Sequence, residues 1–254
     1  MSLESNRVYL GDCLELMKSL DSESIDMVLC DLPYGTTAAS WDSVICLTEL
    51  WIQYQRVCKL NAAIVLTASQ PFTSVLGASN ISMLKYAWIW EKSKASNFLL
   101  ARKQPLKAHE DILVFCRGTP TYNPQKTTGK PFKGAGRSIK GSQTELVNHV
   151  PNPTFRNDNT GDRFPRSIQY FVTAEREGCL HPTQKPIALM EYLIRTHSNV
   201  GDLILDNAMG SGTTCVAARN TQRNFIGMDN NVTFYNKALA RLEIVTATEP
   251  TPKE

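Results

Sequence analysis

Residues 203–229 spell one complete strand–helix–strand crossover, and that unit restricts the fold more than any other stretch. Leu203-Ile204-Leu205-Asp206 is a short apolar run ending in an acid. A glycine-bearing turn follows, Asn207-Ala208-Met209-Gly210-Ser211-Gly212-Thr213-Thr214, then a helix to about Asn220 and a second apolar run, Phe225-Ile226-Gly227-Met228-Asp229. Strands joined through a helix pair in parallel, and a parallel sheet needs helices over both faces. The remaining pattern agrees. Apolar runs predict strands at 7–10, 25–30, 62–68, 86–90 and 112–116. Helical stripes cover 13–20, 47–60 and 186–198, Pro71 opens another helix, and Asn231 caps a last one. The alternation predicts an α/β fold with a doubly wound, mostly parallel sheet.

Composition narrows the class. With 254 residues, 42% of them hydrophobic, the chain suits one α/β domain carrying an inserted lobe, or two domains at most. No run of 18 uncharged apolar residues occurs and the first residues have no apolar signal core, so no membrane partner is expected. Seven dispersed cysteines without a Cys-x-x-Cys pair predict reduced thiols and a cytoplasmic setting. The four histidines do not cluster with them, so no metal is expected. Charge is uneven. Residues 85–140 hold twelve Lys and Arg against Glu91, Glu110 and Asp111; that is +9 in a chain of +3, leaving −6 elsewhere. A solvated face is one reading, a surface for a polyanion the other. Residues 117–180 are rich in Gly and Pro with weak periodicity, yet include Tyr122, Phe132, Phe155, Phe164, Tyr170 and Phe171. They read as a loop-rich insert meeting nucleic acid.

Two segments carry chemistry. Asp31-Leu32-Pro33-Tyr34-Gly35 follows the strand at 25–30, where an open α/β sheet faces its ligand crevice. A carboxylate, a stiff backbone and a ring can grip a flat amino-bearing heterocycle. In the 206–214 turn, Gly212 is followed by Thr213 rather than Lys, so a phosphate loop fails. Cys215 stands where a dinucleotide fingerprint needs its third glycine. A plain structural turn stays open. Asp229, at the end of the next strand, is placed for ribose hydroxyls.

Asp31-Leu32-Pro33-Tyr34 together with Asp206-x-x-x-Gly210-Ser211-Gly212-Thr213-Thr214 resembles the DNA amino-methyltransferases, which methylate adenine N6 or cytosine N4. The catalytic motif precedes the cofactor motif with a basic region between, the order of the β class. Gly11-Asp12-Cys13, Lys107-Ala108-His109-Glu110-Asp111 and His181-Pro182-Thr183-Gln184-Lys185-Pro186 match its further motifs, so the likeness spans about 7–245. It implies a circularly permuted methyltransferase sheet with catalytic half 1–116, target-recognition insert 117–180, cofactor half 181–246 and a frayed tail 247–254. It implies S-adenosylmethionine as cofactor and double-stranded DNA as partner. Dimers are common in the class, without a located interface here.

The resemblance also assigns roles. Asp31 and the Leu32 carbonyl accept from the target amine, Pro33 stiffens the loop, and Tyr34 stacks on the extruded base. Asp206, Gly210, Ser211, Gly212 and Thr213 cradle the methionine part of the cofactor, Thr183, Gln184 and Lys185 line its end, Asp229 takes the ribose, and Asp12 takes the adenine. Leu32 replaces the usual proline and Ala208 a usual aromatic, while Asn230 is a further departure. Asp12 could instead be a helix cap, Lys185 a surface charge, and Phe115 and Trp41 packing groups. Asp at the first motif position favours adenine N6. The alternatives are cytosine N4, an RNA- or protein-modifying relative, or an inactive DNA-binding protein on the same fold. Cytosine-C5 chemistry is excluded because no Pro-Cys nucleophile occurs.

Overall fold

The computed structural model describes residues 3–35, 42–133, 158–176 and 184–247. In chain order the elements are β1 (Arg7–Leu10), α1 (Cys13–Met17), β2 (Ile25–Cys30), α2 (Leu47–Val57), β3 (Cys58–Ala68), α3 (Phe72–Ser79), β4 (Leu84–Ser96) and β5 (Lys107–Phe115). Then come β6 (Thr127–Thr128), β7 (Phe132–Lys133), β8 (Asp158–Asn159), β9 (Asp162–Arg163) and β10 (Ile168–Phe171). The last are α4 (Ile187–His197), β11 (Leu203–Asp206), α5 (Thr213–Asn220), β12 (Asn224–Asp229) and α6 (Val232–Ala247).

Met1–Asn123 and Ser167–Glu254 form one compact unit. Its sheet has the order β1-β12-β11-β2-β3-β5-β4-β10. All neighbours are parallel except β5, which runs antiparallel to both β3 and β4. Alternation along each strand divides the core in two. Val28 and Cys30 face the helices α1, α2 and α3, while Met27 and Leu29 face α4, α5 and α6. Strand β12 passes close under α5: a Cβ on Gly227 would stand 2.6 Å from Met209 Sδ and 2.7 Å from Cys215 Sγ. Only glycine permits that spacing. As expected, Asn231 caps the last helix, its side chain accepting from Thr233 N–H at 2.9 Å.

The differences from the sequence reading lie at element ends. The helix expected over 47–60 stops at Val57, because Cys58 turns extended and opens β3. Lys59, Leu60 and Asn61, at the end of the expected helix, are exposed residues of that strand. Strands β4 and β5 run well beyond their apolar cores, since their outer ends stay paired while carrying mostly polar, largely exposed residues. Four residues of the expected insert, Ile168–Phe171, join the main sheet as an edge strand. Half-exposed and this short, they leave no periodic signal.

The second unit is Pro124–Arg166, inside the 117–180 region. Two short antiparallel ladders, β6 with β9 and β7 with β8, organise its described residues. Lys126 pairs with Asp162 at 3.5 Å and lies 4.9 Å over the Phe164 ring. Residues 248–254, most of the expected tail, lie outside the described residues.

Candidate active site

The strand order fixes where a crevice must open. Strand β2 feeds α2 on one face and continues to β3, whereas β11 feeds α5 on the other face and continues to β12. The two connections part in opposite directions, so a gap forms at the carboxyl ends of β2 and β11. Leu205 pairs with Val28 and Leu10 with Asp229, which brings the ends of β1, β12, β11 and β2 to one edge. A cavity of about 360 Å³ lies there. It is lined by Asp12, by Asp31 to Tyr34, by Gln184 and Lys185, and by Asp206, Gly210, Ser211, Thr213 and Asp229. These come from five separate stretches of chain.

Asp31 is held from three sides. Its Oδ1 accepts from the Tyr34 hydroxyl at 2.8 Å and from the Thr67 hydroxyl. Its Oδ2 accepts from Lys185 Nζ at 2.7 Å. Lys185 is only 5% exposed, which rules out the surface-charge reading. Its ammonium also stands 3.2 Å from Glu110 Oε2, and Glu110 Oε1 accepts from Lys92 at 3.1 Å. A row of alternating charges, Lys92–Glu110–Lys185–Asp31, therefore runs from β4 and β5 into the cavity. Burial alone would lower the Lys185 pKa, but Asp31, Tyr34 and Glu110 outweigh it and hold it well above the ordinary lysine value. Tyr34 stacks on Phe72, centroids 5.4 Å apart, so that ring face is already covered. Burial and then Asp31 push its phenol well up, keeping it protonated as a donor to Asp31.

The 206–214 turn is anchored by its own acids. Asp206 accepts from Ala208 N–H at 3.2 Å, and its burial raises the carboxyl to about 7. Asp229 accepts from Gly210 N–H at 2.9 Å and Asn231 N–H at 2.8 Å; burial raises its pKa and these bonds oppose the rise. Ser211 Oγ donates to Gln184 Oε1 at 3.1 Å, tying the turn to the segment before α4. Gly212 does not line the cavity. Its φ of +77° turns the chain into α5, and a Cβ there would stand 3.1 Å from Ala238 Cβ. Asp12 both caps α1, accepting from Leu14 N–H at 2.8 Å, and lines the cavity. Thr183 and Trp41 lie outside the described residues. Phe115 is fully buried, 4.8 Å from Trp51, as a packing group. Cys30 is buried beside Asp206, and burial drives its thiol well up, so it is no nucleophile.

Further lining residues escaped the sequence reading. Asp42 to Cys46 form one wall, with Asp42 accepting from Gly35 N–H at 2.8 Å. Asn207 lines the floor, its Oδ1 accepting from Tyr54 at 2.5 Å, and Phe234 reaches in from α6. Asn207 stands next to Asp206 and could have been suspected; Phe234 gives no local sign.

The family model described as DNA methylase matches residues 25–240. The chain therefore belongs to the DNA methylase family. It is 29% identical over 265 residues to the DNA adenine methyltransferase YhdJ of Escherichia coli (strain K12), covering 96% of this chain and 84% of that one. A crystal structure titled as an M1.HpyAVI–SAM complex aligns with a TM-score of 0.63 at 24% identity, over 93% of this chain and 98% of its own. The cytosine-N4-specific PvuII DNA methyltransferase aligns at 0.67 and 16% identity, over 97% of this chain and 92% of its own. These two show that the fold is shared.

Proposed function

We propose that this protein transfers a methyl group from S-adenosylmethionine to the N6 amine of adenine in DNA. The observation that carries the reading is Asp31, a carboxylate fixed by Lys185, Tyr34 and Thr67 in a cavity that Asp206 and Asp229 also line. A carboxylate offers about four lone-pair sites. Three are engaged, and the one left can accept from an exocyclic N–H. The Leu32 carbonyl takes the second N–H, which draws the nitrogen toward a tetrahedral form and frees its lone pair. Lys185 acts here as the counter-ion of Asp31. Tyr34 orients Asp31; its ring already meets Phe72 and, at 5.6 Å, the Lys185 ammonium, and the base stacks on what these leave open.

The cavity suits such a cofactor. Among the described residues Asp12, Asp31, Asp42, Asp206 and Asp229 line it against one cation, Lys185, so the field favours a positively charged guest. Its volume lies in the range of small-molecule sites. When bound, S-adenosylmethionine would supply an electrophilic methyl carbon: its S–CH3 bond would break as the N–CH3 bond forms, S-adenosylhomocysteine would leave as a neutral thioether, and the surplus proton of the amine would pass to solvent. Asp229 would hold the ribose hydroxyls, Asp12 the adenine amine, and Gly210 and Ser211 the methionine part. Gly212 and Thr213 shape the turn, and Thr183 and Gln184 close the methionine end. Target recognition is assigned to residues 117–180, on their basic and aromatic content.

Asp206 gives this reading a pH signature. Near pH 6 its carboxyl is protonated, and the ammonium of the methionine part must expel that proton. Cofactor affinity is expected to rise up to about tenfold per pH unit toward pH 7 and to level off above it. Calorimetry from pH 5.5 to 8.5 would check this, with Asp206→Asn flattening the curve. The target base is decided by nucleoside mass spectrometry of DNA from cells expressing the chain. N6-methyladenine is expected. N4-methylcytosine would move the target to the alternative base, and neither product would overturn the methyl-transfer reading. Sequencing that detects modified bases in the same DNA yields the recognition site.

A further inference from the structure

The hairpin between β4 and β5 presents an apolar tip that no part of the proposed chemistry uses. Phe98 is 75% exposed, Leu99 83%, Leu100 38% and Leu106 46%. Contiguous exposed apolar side chains of this size mark a contact surface. The tip is ordered by its own backbone. Asn97, at φ +70°, opens a single helical turn over Phe98–Leu100, and Lys103 N–H and Gln104 N–H close on Leu100 O at 2.8 and 3.0 Å. Lys107 Nζ ties the stem to Gln70 O at 3.1 Å, just beyond the end of β3.

Register places this tip on the edge that holds Asp31. Cys30 pairs with Leu66 and Leu66 with Leu113, so β2 ends, just before Asp31, at the level of Leu113. Strand β5 starts six residues earlier, at Lys107, so the hairpin rises roughly 20 Å past that level at the usual rise per residue. Its two strands stand two and three places from β2, roughly 10–15 Å to the side. Arg102 and Lys103 flank the tip and are exposed, residues 97–106 contain no acid, and neither cation pairs with an acid among the described residues.

We propose that the Phe98–Leu100 turn is a wedge that enters the DNA duplex beside the target base, with Arg102 and Lys103 on the flanking phosphates. Apolar wedges unstack base steps, and an enzyme that works on a base amine must draw that base out of the stack. Charge decides the occupant. A symmetric contact with a second copy would bring the two Arg102–Lys103 pairs toward each other, whereas a phosphate backbone complements them. The proposal rests on the reading that the chain methylates a base in DNA.

The test uses the sequence that the modified-base mapping identifies. The double variant F98S/L99S is compared with the wild type on a fully paired duplex and on the same duplex with an abasic site opposite the target. On the paired duplex kcat/KM is expected to fall about tenfold or more, and on the abasic duplex to stay within about twofold, because unpairing is then already done. Equal loss on both duplexes, or no loss, overturns the wedge. So does a wild-type dimer that the substitutions split, which would give the tip to a second copy. Transfer by the wild type tests the methylation reading separately. If the wild type transfers nothing, anisotropy of a labelled duplex still tests the hairpin: R102A/K103A is expected to flatten the salt slope by about one unit per lost phosphate contact, and an unchanged slope overturns it.

Discussion

Asp31→Ala is expected to lose methyl transfer by about three orders of magnitude, with the cofactor Kd changed by less than about threefold. The asymmetry follows from position. Asp31 meets the cavity at the end of β2, whereas the groups proposed for the cofactor's ribose and methionine parts come from β12 and the 206–214 turn. Removing the carboxylate takes away the acceptor that frees the amine lone pair. It also releases Tyr34, Thr67 and Lys185 from their shared partner. Asp31→Asn separates these effects. The amide keeps the shape and one acceptor oxygen but has no charge to hold Lys185, and its NH2 opposes a second donor. Asn is therefore expected to retain more folding stability than Ala yet to lose about as much kcat. Single-turnover transfer, with cofactor binding measured separately, checks this. Retention of about a tenth of wild-type kcat by the Ala variant would take the acceptor role from Asp31.

Much of this site can be read locally. Asp31, Asp206 and Asp229 each end an apolar run, and in a parallel sheet such ends share one edge. Three points in one dimension therefore become one place in three. The partners do not follow that rule. Glu110 and Lys92 belong to the antiparallel β5 and β4, and only the pairing of β3 with β5 brings them to Lys185. Motif matching flags Glu110 without saying what it touches. Tyr34 is a similar case: its spacing from Asp31 suggests a stacking ring, but Phe72, at the start of α3, occupies one face of it. The helix-cap and cavity readings of Asp12 are both realised, since one carboxylate can cap α1 and still face the guest.

Lys185→Met is expected to be the most destabilising single change in the site, costing about 3–5 kcal/mol and roughly 10 °C in Tm. Among the described residues Lys185 is the one cation against both Asp31 and Glu110, and all three side chains are largely removed from water. Methionine fills the space but leaves Asp31 with only the Tyr34 and Thr67 hydroxyls, and Glu110 with Lys92 as its remaining cation. Breaking such a pair costs more than the pair itself contributes, because the uncompensated charge stays buried. The sign with pH follows from the raised lysine pKa. Its stabilisation is complete below the unfolded-state value and is lost only as pH rises through the folded-state value, so the deficit is already full at neutral pH. Two companion variants separate charge from packing. Glu110→Gln in the Lys185→Met background removes one of the two carboxylates that lost Lys185 and is expected to recover at least about 1 kcal/mol, whereas Glu110→Gln alone is expected to destabilise. Urea unfolding of the four proteins closes the cycle. If Lys185→Met and Glu110→Gln add without coupling, the row of charges is not acting as one unit. Transfer should then follow Asp31 orientation rather than stability: the double variant, though better folded than Lys185→Met, is expected to stay as slow, because nothing in it restores the donor to Asp31 Oδ2.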